Sequence, residues 1–155
     1  MSIEADIALF NAKLDTAIAS AMEKDVFAAA RDCIIASVFP NVYEKYTPHG
    51  KFLHYERRYD DGGLADPENI ERVGGGPTPT GYEIEIRNMT EGIDGGGPID
   101  QIIETGMGYE WEGSDIYKKQ PYPRPFYDAA EKMMIRDGYF ENALMRVLQA
   151  EGFRF

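Results

Sequence analysis

The sequence predicts an α+β domain, in which a long N-terminal amphipathic helix and a C-terminal helix or helix pair pack on a small antiparallel sheet of three to five strands. Three observations lead to this class. Apolar residues recur at helical spacing in residues 3–38 and again in residues 125–151, short alternating segments lie between them, and glycine and proline interrupt the region 42–123. The length of 155 residues fits a single domain, 1–155.

The N-terminal helix is predicted over residues 3–38. Its apolar side chains recur in steps of three and four along one stripe: Ile3, Ile7, Phe10, Leu14, Ile18 and Met22. Ser2 is the expected N-cap. Cys33 lies on the apolar side of the second half, which predicts a small core residue rather than a nucleophile. The charged residues 23–25 predict a kink or short break, and Pro40 is expected to end the helix because it disfavours helical geometry in the residue before it.

The central region predicts short strands between loops. Residues 51–59, 69–73 and 82–89 are the candidate strands, and the last is the clearest because apolar and charged residues alternate along it. Its apolar side chains are expected on one face: Tyr82, Ile84 and Ile86. The glycine-rich segments 74–81 and 92–98 are predicted to be loops.

The C-terminal helical segment is predicted over residues 125–151. Pro125 suits the first turn of a helix, where its missing N–H would have no partner in any case. Gly138 is expected to split or bend the segment, and Gly152 suits the position just after the last turn. The region therefore predicts one bent helix or a pair of helices.

Charge is strongly unbalanced, since 27 acidic and 16 basic residues leave a net charge of −11. Such a surface repels nucleic acid, so direct sequence-specific nucleic-acid binding is not expected. No apolar run approaches the ~20 residues of a membrane helix, and the acidic N-terminus does not resemble a secretory signal. We therefore expect an intracellular protein with no membrane contact. One stretch has seven acids and no base, and is either a solvated loop or an acidic surface facing a partner: Glu91, Asp94, Asp100, Glu104, Glu110, Glu112 and Asp115.

The sequence predicts no catalytic, metal or cofactor site. The glycine-rich segments lack the lysine and hydroxyl residue of a phosphate-binding loop, and they do not form a dinucleotide fingerprint. His49 and His54 have no third ligand at metal-binding spacing, and Cys33 is a single cysteine, so neither zinc nor a disulfide framework is expected. No serine lies in a nucleophile elbow.

A set of short motifs in a fixed order resembles a known group of proteins. The motifs run from residue 42 to the start of the last helical segment: Val42-Tyr43-x-x-Tyr46, Tyr55-x-Arg57-Arg58, Asp61-Gly62-Gly63-Leu64-Ala65-Asp66-Pro67-x-Asn69-Ile70, Glu85-Ile86-x-Asn88, Ile103-Glu104-x-Gly106-x-Gly108 and Arg124-Pro125-Phe126. In this order they resemble the tail-completion, or head–tail joining, minor structural proteins of long-tailed bacteriophages and prophages, especially those of Gram-positive hosts. The resemblance covers about three quarters of the chain.

The resemblance implies a non-enzymatic virion protein without a cofactor. Its members assemble as a ring, commonly a hexamer, between the head connector and the tail tube, so the implied partners are further copies of the chain and neighbouring neck or tail-tube proteins. The implied location is the virion, and the host cytoplasm during assembly. On this reading the acidic stretch would line the DNA channel, where like charge lets DNA slide without adhering. Two parts of the chain have the composition of interface anchors. They are an aromatic loop with Tyr109, Trp111 and Tyr117, and the start of the last helix with Arg124 and Phe126.

Two other functions are compatible with the sequence. An acidic inhibitor or DNA mimic from a phage or mobile element would need its acids on one rigid, continuous face. A small carboxylate-dependent hydrolase would need a concave pocket in which Glu104 faces Glu110 or Glu112 with a perturbed pKa.

Overall fold

The computed structural model describes residues 2–45, 57–92, 95–107 and 122–155, and shows an α+β arrangement in which helices cover one face of a β-hairpin. In chain order the helices are α1 (Ile3–Ala21), α2 (Phe27–Val38), α3 (Asp100–Thr105), α4 (Phe126–Arg136) and α5 (Tyr139–Ala150). The strands are β1 (Ile70–Thr78) and β2 (Gly81–Asn88), and a short 3₁₀ turn, Pro67–Asn69, leads into β1. The α+β class predicted from the sequence is therefore confirmed.

The N-terminal helical segment is one continuous rod, Ile3–Tyr43, with two π turns inside it. Ser2 caps it as predicted, because its side-chain oxygen accepts a hydrogen bond from the N–H of Ala5 at 3.3 Å. The first π turn, Met22–Val26, lies where the charged residues predicted a kink or break. A π turn contains one more residue than an α turn, so it takes up an extra residue while the helix continues without a break.

The prediction that Pro40 ends the helix is wrong. Phe39 keeps helical backbone angles, φ −59° and ψ −61°, and the second π turn, Phe39–Tyr43, continues the helix past the proline. The N–H of Glu44 donates to the carbonyl of Phe39 at 2.9 Å across this wider turn. The residue before the proline therefore keeps αR geometry here, although a proline disfavours it.

The β-hairpin contradicts the prediction of a loop over residues 74–81. The glycines continue β1, which pairs antiparallel with β2 through Thr78 opposite Gly81, and a bulge lies between Arg72 and Gly74. Gly75 is required here: its φ is +105°, and a Cβ on it would lie 2.3 Å from the carbonyl oxygen of Glu83. Glycine therefore permits a close backbone approach that other residues would prevent.

The sheet is smaller than predicted. Within the described residues it has two strands rather than three to five, with one further isolated bridge between Glu91 and Pro98. Residues 57–59 are not a strand, and the rest of the predicted strand 51–59 lies outside the described residues, as do His49 and His54. Residues 82–89 were predicted correctly as a strand, since β2 runs Gly81–Asn88. A two-stranded hairpin is marginal alone, so it depends on the helices that cover it.

The C-terminal segment was predicted to be either one bent helix or a pair of helices, and the structure shows a pair. Gly138 separates α4 from α5 with a left-handed φ of +72°. After α5, the N–H of Gly152 donates to the carbonyl of Gln149 and that of Phe153 to the carbonyl of Leu148, both at 3.0 Å. These two bonds form a Schellman cap, with Gly152 in the position predicted for it.

The core lies where α2, α4 and the inner face of the hairpin meet, while α5 packs against α1 and the first π turn. Cys33 is buried in this core, as predicted, and burial raises the pKa of its thiol. The first π turn, α2, α3 and α4 all contribute buried side chains to this core, among them Val26, Ile34, Val38, Ile103, Phe126 and Met134.

By length and composition alone, the rod Ile3–Tyr43 would pass as a membrane span. This is weak evidence, because the core helix of a soluble protein passes the same test. Here Val26, Cys33 and Val38 from this rod lie in the protein core.

Candidate functional site

A buried polar cluster joins the end of β2 to α3 and α4, and we call it the Asp100 cluster: Arg87, Asn88, Asp100 and Tyr127. Asp100 begins α3 and its side chain is fully buried. Arg87 donates to both carboxylate oxygens, with Nη2 to Oδ1 at 2.7 Å and Nε to Oδ2 at 3.0 Å. The hydroxyl of Tyr127 donates to Oδ2 at 2.9 Å and accepts the backbone N–H of Asn88 at 2.6 Å. The cluster therefore connects three separate chain segments through one carboxylate.

The electrostatics of this cluster favour an ionised Asp100. Burial by itself raises the pKa of a carboxyl, but the hydrogen bonds from Arg87 and Tyr127 outweigh it, and the pKa of Asp100 lies below its ordinary value. Burial raises the pKa of Tyr127, with a further contribution from the adjacent Asp100 charge. The pKa of Arg87 is also raised, chiefly by its hydrogen bonds to Asp100. Asp100 and Arg87 therefore form a charged pair at neutral pH, with Tyr127 as a neutral donor.

A second polar group fastens the loop before β1 to the end of β2. The side-chain amide of Asn88 donates to the carbonyl of Leu64 at 2.7 Å. The hydroxyl of Thr90 donates to the carbonyl of Gly63 at 2.9 Å, and Asn69 donates to the same carbonyl at 3.0 Å. Asn88 and Thr90 are buried, so these bonds satisfy groups that water cannot reach. Four of these residues, Gly63, Leu64, Asn69 and Asn88, belong to the motifs that carry the family resemblance, and here they maintain the fold.

Glu104 holds the start of α4. One of its oxygens accepts the N–H of Tyr127 at 2.9 Å and the other accepts the N–H of Asp128 at 3.3 Å. A carboxylate at a helix N-terminus satisfies free N–H groups and complements the helix dipole. Ser37 of α2 holds the same end from the other side, since its buried hydroxyl lies 2.7 Å from the carbonyl of Phe126.

The acidic stretch is not one surface. Asp100 was predicted to face a channel or solvent, and that prediction is wrong because its carboxylate is buried against Arg87. Glu104 is half-buried and binds the start of α4, whereas Glu91 is exposed. The other four acids of the stretch lie outside the described residues: Asp94, Glu110, Glu112 and Asp115.

The structure describes only two of the predicted interface anchors, Arg124 and Phe126. Phe126 is wrong as an anchor, because its ring is fully buried in the core and stacks at 4.3 Å against that of Tyr127. Arg124 is half-buried, and its N–H donates to the carbonyl of Ile103 at 2.9 Å, so its backbone fixes α3 next to α4. Tyr109, Trp111 and Tyr117 lie outside the described residues.

The structure adds an exposed apolar surface that the sequence did not reveal. In the first four turns of α1, every side chain before Ala17 is exposed except Leu14, which is half-buried. Ile3, Ile7 and Phe10 are 78%, 55% and 53% exposed. The apolar stripe itself was predicted, but helical periodicity does not say whether a stripe is covered by its own chain.

A concavity lies on the hairpin. It encloses about 280 Å³ and is lined by Gly75, Glu83, Ile84 and Glu85. Within the described ranges no group of three or more histidine, cysteine or acidic side chains is placed to hold a metal ion. On the inner side, Arg72 and Tyr82 both donate to Glu23 of the first π turn, which ties the hairpin to the rod.

Comparison with known proteins identifies a family. No curated protein and no solved structure matches the chain. A protein-family model does match, and it covers residues 6–150. The family is associated with Bacillus phages and prophages, which suggests that this protein is phage-derived. The chain, matched over almost its whole length, belongs to the YomN family.

Proposed function

We propose that this protein is a non-enzymatic structural component of a phage virion, located at the head–tail joint, where copies of it form a ring that contacts neck or tail-tube proteins. The observation that carries the proposal is the exposed stripe on α1. A subunit that leaves Ile3, Ile7 and Phe10 in water has an apolar surface that an assembly would cover. The phage association of the family and the ordered motifs quoted above support the same role.

The position of Glu104 supports this structural role better than an enzymatic one. Glu104 was one half of the carboxylate pair that a hydrolase would need, yet both of its oxygens accept hydrogen bonds from α4. A general acid or base needs an oxygen within reach of substrate.

A DNA mimic is likewise less well supported. Mimicry needs free acids on one rigid face, but Asp100 is neutralised by Arg87 and Glu104 is bound to a helix start. The hairpin does present Glu83 and Glu85 on its outer side, opposite glycines in β1. A few exposed acids of this kind suit a surface along which DNA passes without adhering.

The test is to locate the protein in particles of the phage or prophage that encodes it. Mass spectrometry of purified virions should detect it in a small fixed copy number. Deletion of its gene should give filled heads and separate tails that do not join, and supplying the protein should restore joined particles. Virions that lack the protein, together with normal particle yield after deletion, would refute the proposal.

A further inference from the structure

A two-stranded sheet has two edges, and the edge formed by β1 is poorly suited to a further strand. Pro77 has no N–H to donate, and a bulge between Arg72 and Gly74 interrupts the regular spacing of the strand. The guanidinium of Arg72 also donates to the carbonyls of Gly74 and Gly75, at 3.2 and 3.4 Å. Proline, a bulge and a charged side chain are features by which sheet edges are normally protected from pairing.

The edge of β2 has none of these features, and two hydrogen bonds at its end show which backbone groups lie on it. The N–H of Met89 donates to the carbonyl of Asn69, on the β1 side, at 2.6 Å. The N–H of Asn88 points the opposite way and donates to the hydroxyl of Tyr127 at 2.6 Å. Backbone groups alternate in direction along a strand, and the extra residue of the bulge belongs to β1. Every second residue of β2, counted back from Asn88, therefore points its N–H and C=O away from β1.

The outward-pointing residues are Tyr82, Ile84 and Ile86. Their N–H and C=O groups make no hydrogen bond within the part of the chain that the structure describes. Buried backbone groups are almost always paired, so water must reach these groups in the isolated chain. Ile84 lines the concavity on the hairpin together with Glu83 and Glu85, which are both exposed. The edge is thus a row of hydrated donors and acceptors at strand spacing, and an extended polypeptide matches it.

The side chains of β2 determine what kind of strand fits its edge. Tyr82, Ile84 and Ile86 pack against the core on the inner face, so apolar side chains of an added strand would lie beside them. On the outer face Glu83 and Glu85 form no ion pair with any described residue. Opposite charges on neighbouring strands stabilise a sheet. The outer side chains of an added strand are therefore favoured when they are lysine or arginine.

A second copy of the chain is the wrong partner for this edge. Two β2 strands paired antiparallel about Ile84 would place Glu83 of one copy opposite Glu85 of the other. A shift of this pairing by two residues, in either direction, would set Glu83 or Glu85 against itself. Like charges directly opposite each other destabilise a sheet, so the two acids protect the edge from self-pairing and leave it available to a basic segment.

We propose that the edge of β2 binds an extended segment of a different protein, in which apolar side chains alternate with lysine or arginine. The segment would form a third strand, and sheets of three or more strands are much more stable than an isolated hairpin. The inference rests on the proposed function, since a neighbouring neck or tail-tube protein would supply the segment.

Amide hydrogen exchange, followed residue by residue by NMR, tests this contact in the full chain. The probe is a short peptide with blocked ends in which valine and lysine alternate. In the free protein the N–H groups of Ile84 and Ile86 should exchange faster than those of Glu83 and Glu85, which point toward β1. Peptide at about 5 mM should slow Ile84 and Ile86 about five-fold if its Kd is about 1 mM, a weak complex. Slow exchange without peptide, or no change with it, would overturn the inference.

Matched peptides separate strand pairing from simple attraction between charges. N-methylation of the valines or of the lysines removes the N–H groups on one side of the peptide and leaves its charge unchanged. Only one side of an added strand faces β2. One methylated peptide should therefore lose the effect on Ile84 and Ile86, and the other should keep it. The same result for both peptides would contradict strand addition.

Neutralising the two acids provides a second measurement. Glu83→Gln combined with Glu85→Gln should raise the Kd of the valine–lysine peptide at least about three-fold, because two cross-strand charge pairs are lost. The control combines Glu131→Gln with Glu141→Gln, which removes the same charge from exposed helical positions. At physiological salt it should change the Kd less than about 1.5-fold, since distant charges are screened. All four side chains are exposed, so circular dichroism should show unchanged folding. Equal effects of the two pairs would contradict the contact.

Failure of this contact and failure of the proposed function are distinguishable. If virions contain the protein and head–tail joining requires it, but the peptide leaves Ile84 and Ile86 unchanged, the inference fails and the function stands. If the peptide adds to β2 but virions lack the protein, the function fails and the docking edge stands.

Discussion

Asp100→Asn should destabilise the fold by about 2–3 kcal/mol, although it removes only one charge. The amide fits the same space, but its NH₂ group must face a donor, either an Arg87 N–H or the hydroxyl of Tyr127. Hydrogen bonds to a charged group contribute about 1.5–3 kcal/mol, and a buried donor left unpaired costs about 1–3 kcal/mol. These contributions sum to about 2.5–6 kcal/mol. We expect a cost around the lower end of that range because the side chain of Arg87 is 34% exposed and water replaces part of its interaction.

Urea denaturation at pH 7 measures this effect. With a slope of about 2 kcal/mol per molar urea, the midpoint should fall by about 1–1.5 M. The matched control is Asp128→Asn, which also removes one acid from an ion pair, with Lys132 at 2.6 Å, but at an exposed site. Its cost should stay below about 1 kcal/mol.

The shared hydrogen bond between Asp100 and Tyr127 allows a stricter check. Tyr127→Phe should itself cost about 1–3 kcal/mol, because the backbone N–H of Asn88 loses its acceptor. Combined with Asp100→Asn it should cost less than the sum, since the two altered side chains are partners in one 2.9 Å hydrogen bond. Strict additivity, or a cost of Asp100→Asn no larger than that of the Asp128 control, would refute the reasoning.

Three further predictions concern pH, a glycine and the cysteine. Because the folded pKa of Asp100 lies below its unfolded value, the stability gained from its ionised form is complete above about pH 5 and is lost as pH falls through the lowered folded value. The stability difference between wild type and Asp100→Asn should therefore shrink in acid, and a constant difference down to pH 2 would contradict this. Gly75→Ala should cost at least about 2 kcal/mol in the same urea assay, because its φ is +105° and its Cβ would meet the Glu83 carbonyl; Gly81→Ala, with open space around it, should stay within about 0.5 kcal/mol. The thiol of Cys33 is buried with a raised pKa, so a thiol reagent at pH 8 should label it only as the protein opens, in step with unfolding; labelling at the rate of a free thiol would refute this placement.

The sequence predicted elements whose signals are local. Ser2, Gly138 and Gly152 were identified correctly because capping and left-handed geometry depend on a few adjacent residues. Strand β2 was identified because apolar and charged residues alternate along it. The first part of β1 was also identified, as the candidate strand 69–73, but its continuation to Thr78 was missed because that part contains three glycines and a proline, and only pairing with β2 makes such a segment a strand.

The candidate site was predicted less well, because its roles depend on contacts between distant segments. Asp100 and Phe126 look like available surface residues in the sequence, but their partners lie 13 residues or more away. The motifs that resemble phage proteins were informative about ancestry, since the family match supports a phage origin. Many of them, such as Asn69, Asn88 and Glu104, are explained by the internal bonds that they make.

The first π turn has a consequence for how this protein can change during evolution. Each residue of a helix rotates the chain by about 100°, and a π turn holds one extra residue. A single-codon deletion within Met22–Val26 could restore a regular α-helix and keep the rod intact. Because the wider turn completes the same rotation with one more residue, this deletion would leave the Ile3–Ile7–Phe10 stripe on the same side of the helix. The first π turn is therefore a place where the chain can lose a residue without changing the direction in which its exposed apolar stripe faces.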